Sequence, residues 1–358
     1  MPPDELTPGT ATRESQRASP PTWQACFQLQ GRGRTVASTA GKEPGSDRSA
    51  GAQGIQVDGI LEKARSQREV RLAALRRTQR DGRALYADEN GKPRLLPSFV
   101  VYLDELGTSQ RIAAMNDEDL ERDIQDYDDL RWFLHDQKTG WADEFQRTLY
   151  FSDNVVVAAP IRSMNWAEDL GLFPQVFAAG AYQLNMSLRG RRIRGGIASG
   201  EAYADHSFVT GPAHLEAVRL EESVALNPRI ILDDTCVHLA RREHDQSGYA
   251  DRQNSPYGTF LLVDADGQTF VNYLAMVAED SQEDVEPGLR LHRSELEKSL
   301  SAIANTRVLR KYGWLAEYHN FVADTFFGRS DLFVDGYGKG QFARFGSTNA
   351  NGPPDTSR

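Results

Sequence analysis

The sequence predicts an α/β chain: an α+β sandwich with a mostly antiparallel sheet, helices packed on it, and further helices at the N- and C-terminal ends. Three observations carry that expectation. Short apolar runs rich in β-branched and aromatic residues recur at 97–107, 145–161, 228–234 and 258–274. Stretches with apolar residues at helical spacing separate them. Tight-turn signals, Ser152–Asn154 and Asp266-Gly267, join neighbouring runs directly, as antiparallel hairpins require.

Composition sets the outer bounds. The chain has 358 residues, 39% hydrophobic and 26% charged, in the range of soluble globular proteins and enough for one large domain or two small ones. Its formal net charge of −10 argues against nucleic acid or anionic lipid as partners. The most apolar stretch, 170–186, is interrupted by Pro174, Gln175 and Gln183, which argues against a membrane span. The start, MPPDELTPGT, lacks the basic flank and apolar stretch of a secretory signal. Cys26 and Cys236 lie too far apart in sequence to suggest a disulfide scaffold or a cysteine zinc site. A cytoplasmic, soluble protein is expected.

The elements follow in order. Residues 1–55 are rich in Pro, Gly, Ser, Thr and Arg and read as a disordered tail. An N-terminal helical segment is expected over 57–95, from Ile60, Leu61, Ala64, Val70, Leu72 and Leu75 at helical spacing. The run 97–107 reads as a buried strand ending in a turn. The run 116–137 reads as a helix with Leu120, Ile124, Tyr127, Leu130 and Phe133 or Leu134 on one face and its acids in solvent. Two strands around a turn are expected over 145–161, and a long helix over 166–188. The run 191–205 reads as a strand, a glycine turn and a second strand. Pro212 opens a helix over 211–224. A strand over 228–234 and a hairpin over 258–274 complete a domain spanning 96–280. Two helices fill the C-terminal segment 284–330, and 336–358 reads as a disordered tail. The cluster Arg189, Arg191, Arg192 and Arg194 reads as solvated strand-edge arginines, with a triphosphate or a partner's acidic helix as the alternative.

Two acids draw attention. Asp104 ends one apolar strand, and Asp153 sits at the turn between two others. A hairpin lying beside the first strand would bring both carboxylates to one end of the sheet. Such a pair is costly unless a cation neutralises it. Two hard oxygen ligands, completed by backbone carbonyl and substrate phosphate, are how proteins hold Mg²⁺ or Mn²⁺. The seven histidines show no metal-ligand spacing, and no serine lies in a hydrolase context.

Four motifs in order then carry a resemblance. Val100 to Thr108 resembles the first metal strand of class III nucleotidyl cyclases. Phe151-Ser152-Asp153-Asn154 resembles the hairpin with that family's second metal aspartate, Ser152 replacing the usual glycine. Arg194 to Glu201 resembles its RxGIxxGE strand, and Gly211 to Glu221 its dimer-arm helix. The resemblance implies two divalent metals per site, Mn²⁺ or Mg²⁺, on Asp104, Asp153 and the Glu105 carbonyl. It implies that the N–H groups of Leu106, Gly107 and Thr108 meet the triphosphate, and that Arg219 stabilises charge on the α-phosphate. It further implies a head-to-tail homodimer sharing its sites, in which the ribose 3′-oxygen attacks the α-phosphate and pyrophosphate leaves.

The departures from the family pattern narrow the substrate. The positions where purine-using members carry a transition-state asparagine and two base-reading residues are Leu215, Leu149 and Phe208 here. Leucine and phenylalanine offer a purine edge no hydrogen bond. Tyr102 falls on the same side of its strand as Asp104, where it would narrow the pocket around a small base. The set resembles the pyrimidine cyclases of the bacterial Pycsar anti-phage system, which make cUMP or cCMP for a separate effector. UTP is the expected substrate and CTP the alternative. A catalytically silent nucleotide-binding sensor and a purine cyclase with an unusual base pocket are the competing readings.

Overall fold

The computed structural model describes residues 85–134, 145–161, 171–246, 255–280 and 285–347. All of them belong to one compact unit, Ala64–Arg358. The tail expected over 1–55, most of the helical segment 57–95 and the last residues 348–358 lie outside the described residues.

The β1 strand (Leu96–Glu105) is central, and its run Phe99-Val100-Val101 is buried on both faces, as its unbroken apolar character predicts. It leads into α1 (Thr108–Ala113) and α2 (Asp117–Leu134). The hairpin β2 (Arg147–Phe151) and β3 (Asn154–Pro160) follows, then α3 (Leu172–Leu188), β4 (Ile193–Ala204) and the short β5 (Val209–Thr210). After α4 (Pro212–Arg219) comes a π-helical turn over Leu220–Val224, then β6 (Ile230–Leu232) and α5 (Asp234–Gln246). The chain continues through α6 (Pro256–Phe260), β7 (Leu261–Val263), β8 (Thr269–Val271), α7 (Glu286–Ala302), α8 (Thr306–Phe327) and β9 (Ala343–Arg344). The sheet order is β2-β3-β1-β4-β6-β8-β7-β9, with β5 paired to β4. Only the β4–β6 pair is parallel among the described strands, so the mixed α/β fold has the mostly antiparallel sheet the sequence predicts.

The two faces of β1 enter different cores. Phe99, Val101 and Leu103 join Val155, Val157 and the apolar α3 residues Val176, Ala179 and Leu184. Burying each large side chain contributes about 1.5–3 kcal/mol. On the other face Val100, Val156, Ala158 and Ala198 meet Ala213 and Ala217 of α4. Small residues dominate there because α4 lies very close to the sheet.

That close approach corrects the reading of 191–205 as two strands around a glycine turn: β4 is one twelve-residue strand. Its glycines are there for packing. A Cβ on Gly196 would stand 2.4 Å from the Ala217 carbonyl oxygen, and one on Gly195 would stand 2.4 Å from that of Tyr102.

Three further expectations change. Leu120 and Ile124 of α2 are exposed, at 47% and 54%; among the described side chains of α2, Tyr127 and Leu134 pack on the core. The arginine cluster is not a solvated edge, since Arg191 and Arg192 are buried. Arg191 and Arg189 meet the acids of α2 within the same chain, at Asp123 and Asp126. Finally, 336–347 is not a tail: β9 pairs with β7, and Phe345 is buried between the sheet and α5, against His244.

Candidate functional site

The strand pairings place Asp104 and Asp153 side by side. In the β1–β3 register Asp104 lies opposite Asn154, and the Glu105 N–H donates to the Asp153 carbonyl at 3.3 Å. Both carboxylates therefore stand at the same end of the sheet, at the close of β1 and in the turn before β3. Ser152 adopts φ 56° in that turn, a left-handed conformation uncommon for any residue but glycine and asparagine.

A third strand completes the group. Asp104 lies opposite Arg194 in the β1–β4 register, and Nε and Nη2 of Arg194 both donate to its Oδ2 at 3.3 Å. The π-helical turn after α4 brings in Glu221, whose Oε1 lies 2.5 Å from Arg194 Nε as an ion pair without hydrogen-bond geometry. Burial pushes the Asp104 carboxyl up; Arg194 opposes the shift and Asp153 adds to it. Burial likewise pushes Glu221 up to about 7, with Arg194 opposing and Asp104 adding. Half-buried Lys311 of α8 lies within the field of Arg194, Glu221 and Asp104, and among the described residues it has no hydrogen bond or ion pair. Carboxylates outnumber cations at this end of the sheet, which suits a divalent cation.

The other expected residues are placed as follows. The Glu105 side chain is buried on the opposite face, held by Arg191 Nε at 3.0 Å, Arg111 Nη2 at 3.3 Å and the Tyr127 hydroxyl at 3.3 Å. Only its carbonyl faces the turn, where it accepts the Thr108 hydroxyl at 2.7 Å. The Leu106 N–H donates to the Arg192 carbonyl at 2.8 Å, which corrects the expectation that it meets a triphosphate. Gly107, at φ 84°, and Thr108 open α1, where helix amides lack an intrahelical acceptor. Tyr102 does share the Asp104 side of β1: its hydroxyl donates to Asn154 Oδ1 at 2.7 Å, and its ring meets the edge of His214. Burial pushes that hydroxyl up to about 12, so it remains a donor.

Arg219 is not brought to this group. Its side chain is 54% exposed, and among the described residues it is paired with Glu216 alone, at 2.8 and 2.6 Å, on the outer side of α4. Two residues later the chain turns inward and Glu221 reaches Asp104. The side chains of Leu215 and Phe208, at 70% and 55% exposure, stand out on the same α4 side of the molecule.

Sequence reading missed Glu221, Asn154 and Lys311 as members of this group. The Arg-Leu-Glu run at 219–221 was visible, but only the strand register reveals that Glu221 and Arg194 converge on Asp104.

Among the described residues no three His, Cys, Asp or Glu side chains are grouped to hold a metal ion. The two carboxylates that share this end of the sheet, Asp104 and Asp153, fit a hard divalent cation whose shell is completed by other oxygen donors. Among the described residues no helix is long and apolar enough to cross a membrane.

No known family profile matches this sequence. No curated protein matches it. Among solved structures the chain is similar to the adenylyl cyclase CyaB from P. aeruginosa, at 16% identity and a TM-score of 0.32, over 42% of this chain and 82% of that one. A likeness so slight carries no argument, and the functional reading rests on the chain's own residues.

Proposed function

We propose that this chain is a metal-dependent pyrimidine nucleotide cyclase that converts UTP to 3′,5′-cyclic UMP and pyrophosphate, as the second-messenger enzyme of a Pycsar anti-phage system. The observation that carries the reading is the meeting of Asp104 and Asp153 at one end of the sheet, through the β1–β3 register. Divalent cations on that pair would activate the ribose 3′-oxygen and neutralise the α-phosphate. The chain's own residues do the rest. Asp104, Asp153 and the Glu105 carbonyl hold the cations. The Gly107 and Thr108 amides face the phosphates. Arg219, exposed and turned away from its own Asp104, suits donation to a second copy's site, where a planar guanidinium stabilises transition-state charge. A head-to-tail homodimer follows from that division of labour.

The base pocket favours a pyrimidine. Tyr102, whose ring meets the edge of His214, would narrow it, while Leu149, Phe208 and Leu215 offer no purine-reading group. Incubation of the purified full chain with ATP, GTP, UTP or CTP and Mn²⁺, with products resolved by mass spectrometry, tests the reading. Conversion of UTP to cUMP is expected. Cyclic CMP alone would reassign the base, cyclic AMP or GMP would overturn the pyrimidine reading, and nucleotide binding without turnover would make the chain a sensor.

A further inference from the structure

The Asp104 carboxylate already has a cation. Arg194 sends two N–H groups to a single oxygen, Asp104 Oδ2, each at 3.3 Å. A divalent ion on Asp104 would meet that guanidinium on the same carboxylate, and like charges sharing one ligand repel. The fold holds a second acceptor for the arginine. Glu221 Oε1 is 2.5 Å from Arg194 Nε, and the Glu221 side chain is only 3% exposed, so it stays in place. Arg194 thus touches two carboxylates at once, with Nε on Glu221 at 2.5 Å and on Asp104 at 3.3 Å, and would keep the first on losing the second. Lys311, the further cation near this group, comes from α8 and has no ion pair among the described residues, so it adds to the repulsion that a bound divalent ion would feel.

We propose that Arg194 is the resident counter-cation of Asp104, and that Glu221 is a positioning residue that receives Arg194 when a divalent cation takes Asp104, so that this pair sets the metal affinity of the site. The inference rests on the reading of Asp104 as a metal ligand. It adds that apo and loaded states differ by the partner of one arginine. Glu221 touches neither substrate nor metal in this account; it borders Asp104 directly, and its effect on the cation runs mainly through Arg194.

Mn²⁺ binding to the full chain without nucleotide, followed at pH 8 by the electron paramagnetic resonance of free Mn²⁺, tests it. The variants are Asp104→Ala, Arg194→Gln, Glu221→Gln and the double variant Arg194→Gln/Glu221→Gln, each checked for folding by circular dichroism. Removing the competing cation in Arg194→Gln is expected to tighten Mn²⁺ binding about tenfold, and Glu221→Gln to weaken it about tenfold, the coupling expected of neighbours sharing one ion pair. In the Arg194→Gln background, Glu221→Gln should change affinity by less than about threefold, because no arginine is left to receive. Should Arg194→Gln misfold, Arg194→Lys keeps the charge but loses the fork, and Mn²⁺ binding about threefold tighter than wild type is expected. Unchanged or weaker Mn²⁺ binding in the arginine variants overturns the proposal. So does an equal loss from Glu221→Gln with and without Arg194, which would make Glu221 a ligand. Wild type and Asp104→Ala binding Mn²⁺ equally, or neither binding it, would instead remove the metal reading itself, and this inference with it.

Discussion

Asp104 and Arg194 face each other across the β1–β4 pair, and the guanidinium donates twice to one carboxylate oxygen at 3.3 Å. Backbone register fixes that the two residues face each other, while the contact between their side chains is free to break. Its neighbours fix the chemistry: Asp153 arrives from the next strand on one side and Glu221 from the turn after α4 on the other.

The outward course of Arg219 gives a complementation test. If one copy lends Arg219 to the other's Asp104, then Asp104→Ala and Arg219→Ala are each inactive alone. Mixed and allowed to exchange subunits, they form heterodimers with one intact site, and about a quarter of wild-type turnover is expected. Turnover measured before and after mixing checks it. No recovery despite proven exchange would mean that Arg219 serves its own chain or none.

The closeness of α4 to β4 predicts a steric effect. In Gly196→Ala the new methyl would stand 2.4 Å from the Ala217 carbonyl and 2.7 Å from Leu220 Cβ. The π-helical turn must move, at about 1–3 kcal/mol of stability. Because Glu221 is carried on that turn, turnover should fall by more than the loss of folded protein explains. Chemical denaturation midpoints and activity at a temperature where the variant stays folded separate the two effects.

A buried histidine pair between α7 and α8, His292 and His319, predicts acid lability. His319 Nε2 lies 3.0 Å from the Leu332 carbonyl and must donate to it, so its Nδ1 accepts from His292 Nδ1 at 3.0 Å. His292 Nε2 then accepts from the Tyr273 hydroxyl at 2.9 Å. Every ring nitrogen is used with both rings neutral. Burial pushes His319 down to about 4 and His292 well below the usual range; Arg192 and Arg293 oppose protonation, and Glu297 favours it. A folded-state value below the unfolded one means that this stability is present above about pH 6.5 and is lost as pH falls toward 4. Each histidine contributes a slope of about 1.4 kcal/mol per pH unit in that window. Unfolding free energies at pH 7.5 and 5.0, for wild type and His319→Gln, should show a pH difference about 1–2 kcal/mol smaller in the variant. An equal pH dependence in both would refute the assignment.

Much of the fold was legible because burial on both faces writes an unbroken apolar run, as at Phe99-Val100-Val101, and because hairpin turns announce themselves, as at Asp266-Gly267. The glycines of β4 misled, since glycine marks a turn and a close approach alike, and only the seat of α4 on Gly196 tells them apart. The exposed Leu120 and Ile124 misled too, because helical spacing alone does not say which apolar face meets the core. Within the site, Asp104 and Asp153 were readable from their places at strand ends. Arg194 and Glu221 were not, because their roles exist only through strand register and a π-helical turn, neither of which leaves a local pattern.

The central claim is that Asp104 and Asp153 together hold the cations on which nucleotide cyclisation depends. The most direct measurement is UTP turnover with and without Mn²⁺ in wild type, Asp104→Ala and Asp153→Ala, with folding of each verified. Mn²⁺-dependent cUMP and pyrophosphate from wild type, and a loss of at least about 100-fold in each variant, is the predicted result. Equal cyclic nucleotide formation by wild type and both variants would contradict it.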